Sequence, residues 1–280
     1  MTAPIVRTLA ELREYTTAWH KADEVIGAVP TMGALHQGHL SLVRAAKEQC
    51  DRVIVTIFVN PKQFDNPDDL KNYPRTEHED AKKLASLKVD VIYVPNPEEI
   101  YPDGFATTVS VSGLTDMLCG AARPGHFDGV ATVVSKLFMQ TQADKAFFGE
   151  KDYQQLQIVT RLAADLNIPI DVVGCPTIRE EDGLAMSSRN LLLSDRSRIF
   201  APLLAEVMGD IADALNKGEA MGDIVPDATA RLLAAGFNEV DYLELRDGSD
   251  LSLLNSMKPG ARLFAAAWLA GVRLIDNIAV

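Results

Sequence analysis

Two histidines three residues apart, His36 and His39, stand in the stretch Pro30-Thr31-Met32-Gly33-Ala34-Leu35-His36-Gln37-Gly38-His39, and they are two of the chain's five. Imidazoles at that spacing can donate side by side to phosphate oxygens that gain charge in a transition state. The apolar run Val25 to Val29 before them reads as a buried strand, and Leu40, Leu42, Val43 and Ala46 after them have helical spacing. Gly33 and Gly38 let the backbone approach a ligand closely. A helix N-terminus at this point supplies free N–H groups and partial positive charge, which suit phosphate. A lone histidine near a helix start is more often a cap or a surface residue than a catalyst; the pair on a strand–turn–helix points to chemistry.

Further candidates lie where later strands end. Arg52 to Asn60 is almost continuously apolar, the pattern of a strand buried on both faces. Ligands in open parallel sheets bind beyond the carboxyl ends of strands, so Asn60 and Gln63 in Asn60-Pro61-Lys62-Gln63 are placed to offer amides to a small polar substrate. Asn-Pro is also an ordinary turn. Ala143 to Phe148 reads as another strand, ending in Gly149-Glu150-Lys151-Asp152 before a helix from about Tyr153. Lys151 can meet a phosphate as a mobile point charge. Asp152 can accept from ribose hydroxyls, and it shares a helix face with Gln155. Met186-Ser187-Ser188-Arg189 brings two hydroxyls and a guanidinium into a polar loop, and arginine makes forked bonds to phosphate. Arg123 and His126, in Arg-Pro-Gly-His-Phe-Asp-Gly, can serve an anion or be solvated loop residues.

The elements that must position these residues follow from periodicity. A helix over 8–22 carries a capping box, Thr8 with Glu11. Residues 65–75 are polar and irregular, long enough for a lid. A helix over Glu77–Leu87, a strand over Val89–Val94, a short strand over Thr107–Val111 and a helix over Val130–Gln140 come next. The strand Ile168–Gly174 closes a series of strand–helix alternations, so the expected fold is α/β, a doubly wound parallel sheet. From Ser194 the character changes: one long helix to Asn216, a helix over Pro226–Ala235, then strands Val240–Leu245, Arg262–Leu269 and Val272–Ile278, with Ala270-Gly271 as a hairpin turn. The expected division is 1–177, a Rossmann-like domain, and 178–280, a smaller α+β domain.

Composition narrows the partners. The 280 residues carry a net charge of −12 with 47% hydrophobic and 24% charged residues. That argues against a broad nucleic-acid surface but leaves room for a local phosphate site. The three cysteines, Cys50, Cys119 and Cys175, have no metal-ligand spacing and fit a reduced cytoplasmic setting. Met1 to Leu9 has no apolar signal core, and no run is long enough to span a membrane.

The His-x-Gly-His turn resembles the "HIGH" signature of nucleotidyl transferases and class I aminoacyl-tRNA synthetases, and Met186–Arg189 resembles their "KMSKS" loop without its lysines. That shifts the lysines' role to Arg189 or Lys151. PTMGALHQGH, IFVNPKQF, YPRT, RPGHFDGV, FGEKDYQQL and DGLAMSSRN occur in this order. Together they resemble the pantoate–β-alanine ligase (pantothenate synthetase) family. The resemblance implies that ATP and pantoate form pantoyl adenylate and pyrophosphate, and that β-alanine then displaces AMP. It implies Mg²⁺ with the triphosphate. It assigns ATP to Met32, Gly33, Ala34, Leu35, His36, Gln37, Gly38 and His39, to Gly149, Glu150, Lys151 and Asp152, to Ile178 through its backbone, and to Met186, Ser187, Ser188 and Arg189. His39 matches the residue usually assigned as proton donor, although an anion favours the charged imidazolium, so electrostatic donation is the rival role. His36, Lys151 and Arg189 complete the implied catalytic set. Gln63 and Gln155 would hold pantoate, and the family suggests a cytoplasmic homodimer. The alternative is another HIGH-type nucleotidylyltransferase that passes AMP to a phosphorylated acceptor.

Overall fold

The computed structural model describes residues 3–64 and 67–280. By their contacts the residues fall into two compact units, Met1–Gly149 with Gln155–Cys175, and Glu150–Gln154 with Pro176–Val280. The segment Glu150–Gln154 thus groups with the second unit.

In the first unit, six strands among the described residues form one parallel sheet: β1 (Ile5–Val6), β2 (Ile26–Thr31), β3 (Arg52–Ile57), β4 (Val91–Tyr93), β5 (Lys145–Gly149) and β6 (Asp171–Cys175), in the order β1-β4-β3-β2-β5-β6. The fold class is therefore the α/β class expected. The helices are α1 (Leu9–Lys21), α2 (Gln37–Gln49), α3 (Pro67–Asn72), α4 (Glu77–Ala85), α5 (Pro97–Ile100), α6 (Leu118–Ala122), α7 (His126–Thr141) and α8 (Tyr153–Asp165). Strand β3 is buried on both faces from Val53 to Ile57, as its unbroken apolar run requires. Helix α2 turns Leu40, Leu42, Val43 and Ala46 into the core with Val53, Val55 and Phe147. The capping box of α1 is present, with Thr8 accepting from the Glu11 N–H at 3.2 Å. The chain leaves β2 towards β3 and leaves β5 towards β6, so the strand order reverses between β2 and β5. Crevices outside such a switch point are where open sheets bind ligands.

In the second unit, β7 (Phe237–Asp247), β8 (Leu253–Leu254), β9 (Ala261–Leu269) and β10 (Val272–Ala279) form an antiparallel sheet in the order β10-β9-β7-β8. The Ala270-Gly271 turn joins the last two long strands, and Ala270 and Gly271 both have positive φ, 51° and 79°. Helices α9 (Asp195–Arg198), α10 (Leu203–Asn216) and α11 (Met221–Ala234) accompany the sheet. Leu204, Val207, Met208, Ile211 and Leu215 share a core with Leu243, Leu245, Leu263 and Ala265.

Several local expectations need correction. Residues 65–75 are not irregular throughout, because 67–72 form α3; residues 65 and 66 lie outside the described residues. Thr107–Val111 pairs with no strand among the described residues and instead ties to α7 through the Val109 N–H and the Thr132 hydroxyl, 2.9 Å. Helix α7 begins at His126, four residues earlier than the apolar periodicity suggests. The long helix from Ser194 is two helices, with Pro202 between them lacking the N–H that would continue the ladder. Helix α11 runs through Pro226 rather than starting there.

Candidate active site

The turn after β2 is held through four successive N–H groups, Gly33 to His36. The Thr31 hydroxyl donates to the Thr56 carbonyl at 2.7 Å and accepts from the Gly33 N–H at 3.2 Å. Gly33 and Ala34 both take positive φ, 85° and 49°, a conformation that costs an alanine about 1 kcal/mol or more. This unfavourable geometry aims the Ala34 and Leu35 N–H groups at the Asp80 carboxylate, 2.9 and 2.8 Å away.

The histidines then cap α2 in both directions. His36 Nδ1 accepts from the Gly38 N–H at 3.2 Å, and His39 Nδ1 accepts from the His36 N–H at 3.3 Å. The rings lie 4.1 Å apart, tilted by 43°. A nitrogen that accepts from a backbone N–H carries no proton, so each ring holds its proton on Nε2. Each histidine is therefore both a cap and a donor: Nδ1 serves the helix, and Nε2 carries the N–H.

The Asn60–Gln63 segment is a 3₁₀ turn with the expected amides, but in unequal roles. Asn60, expected to offer its amide to a substrate, is only 1% exposed. Its Nδ2 donates to Gln63 Oε1 and to the Gly129 carbonyl, both at 3.0 Å, and its Oδ1 accepts from the Tyr101 hydroxyl at 2.7 Å and the Lys62 N–H at 3.3 Å. Asn60 therefore orients Gln63 from behind. With Oε1 engaged, Gln63 directs its Nε2 away from Asn60, to 3.0 Å from Met32 Sδ. A thioether is a weak acceptor, readily replaced by a substrate oxygen.

Arg123 and His126, read as possible anion binders, converge on the main chain of Gln63. His126 Nδ1 donates to the Gln63 carbonyl at 2.7 Å and Arg123 donates to it at 3.2 Å. Helix α7 approaches this turn so closely that a Cβ on Gly129 would sit 2.3 Å from the Lys62 carbonyl oxygen. Gln155, on α8, is half-buried in the first unit.

In the second unit, β9 and β10 hold the segment that carries Lys151. Asn277 Nδ2 donates to the Glu150 and Lys151 carbonyls, both at 2.8 Å, and Arg262 donates to the Glu150 carboxylate at 3.1 Å. The Arg262 guanidinium also lies 3.9 Å from the Tyr153 ring centroid. Lys151 Nζ and Asp152 Oδ1 are 3.8 Å apart, a loose pair that a phosphate can displace. Ile178 to Met186 is a tight hairpin: the Met186 N–H meets the Ile178 carbonyl at 3.0 Å, and the Glu180 N–H meets the Leu184 carbonyl at 2.8 Å. Arg179 anchors it through a forked pair with the buried Asp276, 2.6 and 2.9 Å. Ser187 caps the next 3₁₀ turn by accepting from the Arg189 N–H at 3.2 Å. At the hairpin turn, the Arg198 guanidinium holds the Asp182 carboxyl below its usual range.

Sequence reasoning missed Asp80, Lys83, Tyr101, Arg179, Arg262, Asp276 and Asn277. A signal existed for Asp80, which lies one helical turn after the threonine of YPRT.

Residues 4–279 match the family described as Pantoate-beta-alanine ligase. A pantothenate synthetase from Roseobacter denitrificans is 66% identical over 280 residues, covering 100% of this chain and 99% of its own. One from Ruegeria pomeroyi is 64% identical over 280 residues, covering 100% and 98%. Among solved structures, a pantothenate synthetase from Thermus thermophilus superposes with a TM-score of 0.93 at 44% identity, over 99% of each chain. A pantoate-beta-alanine ligase from Francisella tularensis, complexed with beta-gamma ATP and beta-alanine, superposes with a TM-score of 0.85 at 36% identity, over 99% of this chain and 97% of that one.

Proposed function

The chain belongs to the pantoate-beta-alanine ligase family, and from that premise we propose how its own residues carry the reaction. It is an ATP-dependent ligase that joins pantoate to β-alanine. A pantoate carboxylate oxygen attacks the α-phosphorus of ATP, the Pα–O bond to the β-phosphate breaks, and pyrophosphate leaves. The β-alanine amine then attacks the acyl carbon of the adenylate. The C–O bond to AMP breaks, the amine loses a proton, and pantothenate forms.

His36 and His39 donate their Nε2–H groups to the triphosphate, where negative charge grows as pyrophosphate departs. The N-terminus of α2 adds its partial positive charge, and Met32 to Leu35, Gln37 and Gly38 line the approach. Gln63 donates from Nε2 to pantoate, with Asn60 fixing its direction, and Gln155 is the second pantoate ligand. Gly149, Glu150 and Asp152 serve the nucleoside, and Lys151 serves phosphate. Ile178 offers its backbone to adenine. Met186, Ser187, Ser188 and Arg189 act on the leaving pyrophosphate. The observation that carries this assignment is the reciprocal capping of α2, which fixes the proton of two neighbouring rings on Nε2.

Magnesium is proposed to arrive with the nucleotide, screening the phosphate charge. Among the described residues no group of three or more His, Cys, Asp or Glu could hold an ion. A homodimer in the cytoplasm is proposed from the family resemblance and from three cysteines that are all free thiols. No described helix is long and apolar enough to cross a membrane.

The test is pantoate-dependent exchange of labelled pyrophosphate into ATP without β-alanine. Exchange that requires pantoate is expected. Absence of both exchange and pantothenate formation would overturn the assignment.

A further inference from the structure

We propose that Asp80, with Lys83 on the same helix, is a positioning residue for the catalytic histidines. It acts by holding the turn after β2 in an otherwise unfavourable conformation. The inference rests on the placing of His36 and His39 in the reaction above.

Asp80 is fully buried, at 0% exposure. A carboxylate is removed from water only where other groups satisfy it. Here Oδ1 accepts from the Leu35 N–H at 2.8 Å, and Oδ2 accepts from the Ala34 N–H at 2.9 Å and the Thr76 hydroxyl at 3.0 Å. Consecutive N–H groups that converge after positive-φ residues form a concave anion site, and in this protein a side chain of α4 fills it. Lys83, one turn further along α4, donates from Nζ to the Leu35 carbonyl at 2.6 Å. Its distance to Asp80 Oδ1 is 4.0 Å, the edge of an ion pair, so its main bond is to the turn itself. The helix thus grips both polar groups of Leu35, immediately before His36.

The consequence is geometric. Gly33 and Ala34 stay at positive φ because the carboxylate rewards the direction in which the Ala34 and Leu35 N–H groups point. If Ala34 relaxed, the His36 main chain would turn, and with it the N–H that His39 Nδ1 accepts. Both rings would then lose the arrangement that keeps their protons on Nε2. Asp80 itself touches neither substrate nor reacting atoms. It sits 44 residues beyond His36 in sequence, reached only because α4 packs beside the end of β2.

The experiment compares wild type with Asp80→Asn, Lys83→Met and Thr76→Val in the full chain. Pantoate-dependent pyrophosphate exchange is measured per folded molecule, and ¹⁵N spectra of the histidine rings are recorded without ligand. Asparagine would turn an N–H₂ towards one of the two backbone donors. We expect Asp80→Asn to reduce kcat for exchange by about 10²-fold, the scale of a displacement near 1 Å, with a smaller change in pantoate KM. Its ring spectra should lose the uniform Nε2–H tautomer. Lys83→Met and Thr76→Val, which leave the carboxylate in place, should show the same changes at about 3- to 10-fold. A folded Asp80→Asn with wild-type kcat and ring spectra would overturn the proposal. If Asp80→Asn does not fold, unchanged kcat and spectra in both other variants would overturn it. The ring spectra need no activity, so loss of exchange in wild type would count against the assigned reaction and leave the clamp to be judged by the spectra.

Discussion

His39 should tolerate glutamine far better than asparagine, because the two amides replace different ring nitrogens. In His39→Asn the side-chain oxygen falls near the position of Nδ1 and can still accept from the His36 N–H, which lies 3.3 Å from that nitrogen in the wild type. No donor then reaches the position of Nε2. In His39→Gln the longer side chain places N–H₂ near Nε2 and gives up the cap. One donor to developing charge is worth about 2.7–4 kcal/mol, or 10²–10³ in kcat. A lost cap costs about 1 kcal/mol of stability, and the length of this bond puts the loss at the lower end. His39→Asn should therefore fold normally and lose about 10²-fold or more in exchange kcat. His39→Gln should lose less than about 10-fold while unfolding at a slightly lower temperature. A His39→Gln variant as slow as His39→Asn would refute the donor assignment and restore an imidazolium acid.

Tyr101→Phe removes the hydroxyl that donates to Asn60 Oδ1 at 2.7 Å. It should cost about 1–2 kcal/mol and raise the pantoate KM while leaving the ATP KM near wild type; equal changes in both would argue against a role through Gln63. Asp276→Asn breaks the forked pair with Arg179. It should destabilise the protein by about 3 kcal/mol, the lower end for such pairs because the Arg179 side chain is 28% exposed. Thermal unfolding and the ATP KM test this together. Asp182 has a depressed folded pKa, first through its hydrogen bond with Arg198, so its contribution is present above the unfolded value of 3.8 and lost as pH falls below it. Amide exchange in residues 179–185 should therefore rise, relative to Arg198→Met, on acidification below about pH 4.

What the amino-acid sequence determined by itself is local. The two histidines at a strand–helix junction, the Thr8–Glu11 box and the alternation of apolar strands with amphipathic helices all follow from interactions within a few residues. Backbone propensity and side-chain period act over that range. The ordered motifs identified the family for the same reason, since each is a short contiguous string. Where periodicity lapsed the cause differed by segment: 107–111 is tied to α7 through Thr132, while the break at Pro202 comes from its missing N–H. The tertiary structure alone decided which partners meet. Asp80 reaches Ala34 across 46 residues, His126 reaches the Gln63 carbonyl across 63, and Arg179 reaches Asp276 across 97. Such contacts depend on the strand order and on the helix that packs at each strand end, and no sequence window spans them. The same cause reassigned Asn60. Its residue type permits a ligand amide, but the close approach of α7 at Gly129 buries it and makes it the support of Gln63 instead.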